Sequence, residues 1–255
     1  MEPWRTGITT SDEKSIFIRG CDIVSLMTQA TFTDTIYLLH QSRLPTKEER
    51  RLLDAILIGV SDHGPAAPSA AAARIVVSGN RRSLEAAVAA GVLAMGDAHG
   101  GAAYDCMQMI GEGVEHARRE SISIKEAAGR VAEDAKSNHK RLPGIGHRVH
   151  TVDPRTRVLF NMARASGVAR DGVAFMEALE EAVREQIRPL PINIDGSLSA
   201  ILYDLGFLPP VAPLIFIIGR VAGVTAQVME ERTREKPMRV HIPVIYDGPP
   251  PGAVK

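Results

Sequence analysis

Stretch after stretch of this sequence spaces its apolar side chains three and four residues apart, the period of a helix face and not of a strand. Residues 171–186 show it plainly: Val173, Met176, Leu179 and Val183 fall on one side, with Phe175 nearby. The spacing recurs over 104–120 through Met107, Ile110 and Val114, and again in Leu52, Leu53, Ile56 and Leu57. Thr46-Lys47-Glu48-Glu49 precedes that last group as a capping box. With Phe32, Ile36, Leu38 and Leu39 ahead of Pro45, it reads as a helical hairpin. Further helices are expected over 84–95, capped by Ser83 and ended by Gly96, and over 124–137, 154–164, 197–205 and 211–231. Only residues 16–18, beside Gly20, look like a strand. Aromatic residues are 4% of the chain while alanine, leucine and glutamate abound, which favours helix. The expected fold is all-α.

At 255 residues the chain can bury roughly three quarters of its unfolded surface. Lys plus Arg and Asp plus Glu are 30 each, so no global field draws it to nucleic acid or to a membrane. The longest apolar run, 211–218, is interrupted by Pro213 and followed by Arg220, so no run reaches membrane-spanning length. The first residues lack the apolar core of a signal peptide. Cys21 and Cys106 stand in unrelated contexts and read as two reduced thiols. A cytoplasmic, soluble protein is expected. Residues 236–255 carry five prolines and read as an extended tail.

Three motifs place acid–base side chains beside glycine, where backbone can approach a ligand closely. They are Gly96-Asp97-Ala98-His99-Gly100-Gly101, then Gly144-Ile145-Gly146-His147-Arg148 with Asp153-Pro154-Arg155, and Asn193-Ile194-Asp195-Gly196. Taken singly, each has a plainer meaning. His99 is a turn histidine, and His147 belongs to a basic loop with Lys140, Arg141 and Arg148. Asp153-Pro154 is a helix start with proline at the first position. Asp195-Gly196 marks a turn. His63, in Ser61-Asp62-His63-Gly64-Pro65, is equally open. Arg220 closes an apolar segment and needs a partner, either a bound carboxylate or an internal ion pair. No paired His or Cys spacing suggests a metal, and no glycine-rich phosphate loop is present.

In this order the motifs resemble the citrate synthase superfamily. Arg19-Gly20, Tyr37-Leu38-Leu39, Leu44-Pro45-Thr46, Asp62-His63-Gly64, the three motifs above and Gly219-Arg220-x-x-Gly223 follow the family pattern from about residue 6 to 246. The resemblance implies a large helical domain of residues 1–104 and 211–255, and a small helical domain of 105–210 closing over the substrate. It implies a homodimer, and coenzyme A as part of the substrate with no permanently bound cofactor. Asp195 would move the proton at the thioester methyl carbon, and His99 would donate to the thioester oxygen. His147 would polarise the oxaloacetate carbonyl or the citryl hydroxyl, while His63, Arg155 and Arg220 would hold carboxylates. Lys140, Arg141 and the backbone of Gly144, Ile145 and Gly146 are the candidates for coenzyme A.

Departures from the pattern separate the activities within the family. This sequence is much shorter than ordinary citrate synthases. Gly196 follows the acid, as in citryl-CoA lyases and the lyase module of ATP-citrate lyase, where synthases carry an aromatic residue. That module lacks a histidine at the place of His99, so His99 is synthase-like. The synthase Arg-Pro-Arg run is here Lys236-Pro237-Met238-Arg239, which leaves Arg234 or Arg239 to supply the missing guanidinium. The expected function is a citryl-CoA lyase. The alternatives are a citrate or 2-methylcitrate synthase, an acyltransferase, and a catalytically silent acyl-CoA-binding helical dimer.

Overall fold

The computed structural model describes residues 2–97, 99–147 and 151–250. It begins with an antiparallel meander of three short strands, β1 (Thr9–Ser11), β2 (Ile16–Ile18) and β3 (Cys21–Asp22), with Thr10 opposite Phe17 and Phe17 opposite Asp22. Arg19 and Gly20, both at positive φ, form the two-residue turn. The Arg19 guanidinium then reaches Leu39 O through Nε (3.1 Å) and Nη2 (2.9 Å), tying the meander to the first helical pair.

Everything else among the described residues is helix and connection. α1 (Ile23–Gln29) is capped by Asp22. α2 (Phe32–Gln41) and α3 (Lys47–Val60) each start with a complete capping box, Thr31 with Asp34 and Thr46 with Glu49. They pair as a hairpin, with the Tyr37 hydroxyl donating to Glu49 (3.1 Å). Then follow α4 (Pro68–Gly79), α5 (Leu84–Leu93), α6 (Ala102–Arg119), α7 (Ile124–Ser137), α8 (Pro154–Ala165), α9 (Asp171–Gln186), α10 (Ile194–Asp204) and α11 (Val211–Arg234).

Two compact units result, Met1–Asp62 with Met95–Ala222, and His63–Ala94 with Gly223–Lys255. These boundaries differ from the 1–104 plus 211–255 and 105–210 domains that the resemblance implies. In the first unit Met107 and Ile110 of α6, Met176 and Leu179 of α9, and Leu198 and Ile201 of α10 are fully buried in one core. Each such side chain contributes about 1.5–3 kcal/mol. In the second unit Ala73, Val77, Ala87, Val224 and Val228 form a smaller core. There Gly91 lets α5 close up, since a Cβ would stand 2.7 Å from Val224. Glu231, with no exposed surface, is gripped by Arg74 Nε (2.9 Å) and Arg239 Nε (2.8 Å).

Several expectations need correction. Ser83 does not cap α5 through its side chain; its hydroxyl donates instead to Glu85 (2.6 Å). Pro213 does not interrupt α11, because the first turn of a helix has no use for its missing N–H. By length and composition α11 is apolar enough to cross a membrane, which a count of unbroken apolar residues understates. Its buried residues include Ala212, Ile215, Phe216, Arg220, Val224, Val228 and Glu231, as in a core helix. Cys21 and Cys106 are free, and Cys106 is completely buried. Asp195-Gly196 is not a turn but the first turn of α10, three residues earlier than the expected start.

Candidate active site

Pro189 and Pro191 keep the chain extended into Ile192, which pairs antiparallel with Ile145. Gly146 N donates to Pro191 O (2.7 Å) and Asn193 N to Gly144 O (3.0 Å). Asn193 then starts α10, its Oδ1 accepting from Gly196 N (3.1 Å), while its Nδ2 donates to Gly146 O (2.8 Å) across 47 residues of sequence. The loop carrying His147 and the helix carrying Asp195 are thereby joined. Both glycines at the crossing are required. A Cβ on Gly196 would stand 2.4 Å from Gly144 O, and one on Gly144 would stand 2.7 Å from Gly196 Cα and 2.5 Å from Cys106 Sγ. Thr156 of α8 adds a buried hydroxyl that donates to Ile192 O (3.1 Å), with Asn193 O also in reach at 3.3 Å.

Asp195 projects from the first turn of α10 with a buried Oδ1 that has no hydrogen-bond partner among the described residues. Burial raises its carboxyl to about 6, against the opposing pull of Arg155 and Arg220, with Asp153 adding to the rise. A carboxyl poised there can both give and take a proton near neutral pH.

The two arginines are held differently. Asp153 caps α8 and grips Arg155 through Nε (3.0 Å) and Nη2 (2.8 Å), while Arg155 Nη1 donates to Gly59 O (3.2 Å). Burial alone would raise Asp153. The hydrogen bonds and charge of Arg155, together with the charge of His147, prevail and hold it below the usual carboxylate range. Arg220 is 3% exposed, donates to Val60 O (2.7 Å) and lies 4.7 Å above the Phe216 ring. Desolvation lowers its pKa against the favourable charges of Asp62 and Asp195.

His99 sits in a tight loop in which Gly96 and His99 exchange backbone hydrogen bonds of 2.9 and 2.7 Å. Its ring stands edge-on to Phe216, and Nε2 is 3.5 Å from Arg220 Nη1. A guanidinium only donates, so this contact is satisfied with Nε2 as the acceptor.

The first unit thus brings together His99, His147, Asp195, Arg155 and Arg220. His63 opens the second unit, exposed, in the connection to α4. Ala98 and Arg148 lie outside the described residues. Of the coenzyme A candidates, Lys140 is exposed and pairs with Asp134 (3.1 Å). Arg141 joins it at a cleft of about 370 Å³ between α6 and α7, with His116 and Arg130. The backbone of residues 144–146 is largely committed: Gly144 O, Gly146 N and Gly146 O bind residues 191–193, and Ile145 N donates to Leu142 O (3.2 Å). Arg239 is tied to Glu231 and Glu235, and Arg234 to Glu230 (2.5 Å). Sequence reasoning missed the tasks of Asn193 and Thr156. The one available signal was a cap-type residue followed by a carboxylate two positions later.

Near Asp195, Cys106 is no second nucleophile, since burial pushes its thiol up to about 12. Among the described residues the site holds a carboxylate with an unpartnered buried oxygen, two loop imidazoles and two anchored arginines, a set suited to acid–base chemistry. The chain belongs to the citrate synthase family: residues 46–241 match the model of the citrate synthase C-terminal domain. It is 39% identical to the citryl-CoA lyase of Hydrogenobacter thermophilus, with a TM-score of 0.89 over 98% of this chain and 96% of that one. The citrate synthase of Deinococcus radiodurans is 27% identical over 219 residues, 83% of this chain and 55% of that protein. The chain spans about half the length of the citrate synthases it matches. The ATP citrate lyase of Methanothrix soehngenii, solved with citrate and coenzyme A, shares the fold at 21% identity and a TM-score of 0.82, covering 100% of this chain and 44% of that one.

Proposed function

We propose that this protein cleaves citryl-CoA to acetyl-CoA and oxaloacetate through an enol or enolate intermediate. The observation that carries the reading is Asp195, whose buried Oδ1 has no hydrogen-bond partner among the described residues and whose pKa is raised to about 6. Support comes from the likeness to a citryl-CoA lyase along nearly the full length of both chains.

In this reading His63, Arg155 and Arg220 hold the substrate carboxylates, for which arginine forks are suited. His147 takes the citryl hydroxyl proton as the carbon–carbon bond breaks. The bonding electrons move to the thioester oxygen, where the His99 ring donates. Protonated Asp195 then delivers its proton to the carbon that becomes the acetyl methyl group. The hydroxyl proton held by His147 balances the one given up. Donors and acid–base groups of this kind are each worth ~10²–10⁴-fold. Coenzyme A enters as part of the substrate, with Lys140 and Arg141 at its phosphates. The protein acts as a homodimer, with the 105–210 domain closing on the 1–104 and 211–255 domain.

A second reading, a synthase condensing acetyl- or propionyl-CoA with a 2-oxo acid, is favoured by His99 and by the matching citrate synthases. It uses the same residues and adds thioester hydrolysis. Citryl-CoA supplied to the protein separates the two. Oxaloacetate, read through malate dehydrogenase, without matching free coenzyme A thiol supports the lyase. Citrate with free thiol favours the synthase, and neither product refutes both.

A further inference from the structure

We infer that Asn193 is the positioning residue that sets His147 against Asp195. The inference rests on the proposed reaction for its catalytic meaning, and on geometry for the rest. Four groups of this one residue are engaged. Its N–H donates to Gly144 O (3.0 Å), its Nδ2 donates to Gly146 O (2.8 Å), its Oδ1 accepts from Gly196 N (3.1 Å), and its carbonyl lies 3.3 Å from Thr156 Oγ1. The partners belong to the three segments that carry the site: the loop before His147, the helix of Asp195, and α8, which begins with Asp153 and Arg155. The orientation of the amide is fixed chemically. A backbone N–H faces its oxygen and a backbone carbonyl faces its nitrogen, and neither partner can reverse roles.

A helix cap needs only the oxygen. The Nδ2 donation to Gly146 O is surplus to capping, and it immobilises the peptide plane that enters His147. Because that peptide is trans and planar, holding Gly146 O fixes the direction of the His147 N–H and the start of the His147 side chain. Asn193 does not touch substrate in this account; it acts through His147.

Asn193→Asp separates the two tasks, because it keeps the capping oxygen and replaces the donor with an acceptor facing Gly146 O. Asn193→Ser does the same without added charge, since serine caps but is too short to reach Gly146 O. The first readout is backbone amide hydrogen exchange of the intact protein, which needs no substrate. In either variant, exchange in 144–147 accelerates while the amides of α10 are unchanged. Unaltered exchange at 144–147 overturns the inference.

The second readout is a double-mutant cycle on citryl-CoA cleavage. Asn193→Ser lowers kcat on the order of 10²-fold, as a misplaced catalytic group does. His147→Ala then costs at least tenfold less in the Asn193→Ser background than in the wild type. Multiplicative losses mean that Asn193 is a cap and nothing more, and they overturn the inference. A wild-type protein that leaves citryl-CoA intact refutes the proposed reaction. The exchange result still decides whether Asn193 holds the His147 loop.

Discussion

Two carboxylates, one in each unit, are treated in opposite ways. Glu231 in the second unit has no exposed surface and is saturated by two guanidiniums, Arg74 at 2.9 Å and Arg239 at 2.8 Å. Asp195 in the first unit has a buried oxygen with no partner among the described residues, and its arginine neighbours are engaged elsewhere, Arg155 by Asp153 and Arg220 by Val60 O. A saturated buried charge stabilises a fold and does no chemistry, because its proton affinity is fixed by its partners. An unsaturated one costs stability and remains free to exchange a proton. The contrast separates structure from function more sharply than burial alone.

The strongest way to break this comparison is Asp195→Asn, which is expected to lower citryl-CoA turnover by ~10²–10⁴-fold while the circular dichroism spectrum is unchanged. Turnover within threefold of wild type would remove Asp195 from the chemistry. Next in size is Glu231→Ala, which leaves Arg74 to Glu230 and Gln227 and Arg239 to Glu235. Urea unfolding is expected to show a loss of about 1–3 kcal/mol. A loss below about 1 kcal/mol would mean that the buried triad holds nothing together.

The comparison is sharpened by pH. The carboxyl of Asp195 is raised in the folded protein, so its contribution to stability is greatest below its unfolded pKa and is lost as pH rises through about 6. Asp195→Asn removes that loss. The variant is therefore expected to be more stable than wild type at about pH 8, by on the order of 3 kcal/mol, with the gap nearly closed at about pH 4. Equal stability at both pH values would show that the carboxylate is solvated after all. The smallest effect concerns Arg155, where alanine would strand the buried Asp153 and confuse binding with folding. Arg155→Lys keeps the charge and loses the fork, so calorimetry is expected to show citrate binding weakened by about tenfold and coenzyme A binding unchanged. Equal weakening of both ligands would contradict its assignment to the carboxylates.

The helices were legible wherever apolar and polar residues alternate with a helical period, as in α3, α6 and α9. They were illegible where contrast is missing: α4 contains Ala70, Ala71, Ala72 and Ala73, which present the same face in every direction. α1 is too short to show a period. In the site, the three motifs identified His99, His147, Arg155 and Asp195, and the structure gathers these four with Arg220 into one unit. The junction that gathers them was hidden. It is built largely from backbone groups of Gly144, Gly146 and Pro191, and a backbone carbonyl looks the same in every sequence. Asp195-Gly196 read as a turn for the same reason. Glycine after a carboxylate has two meanings, a reversal of the chain or a close crossing, and only the position of Gly144 selects the second.

That crossing also limits the routes by which such a protein can change. Gly144 and Gly196 occupy each other's side-chain space, so neither position can accept a larger residue while the other strand stays in place. An aromatic residue after Asp195 is therefore out of reach of a single substitution at Gly196. The loop leading to His147 would have to retreat first, and that step alone would uncouple the two motifs. A larger side chain at either position therefore takes paired, compensating changes in both segments.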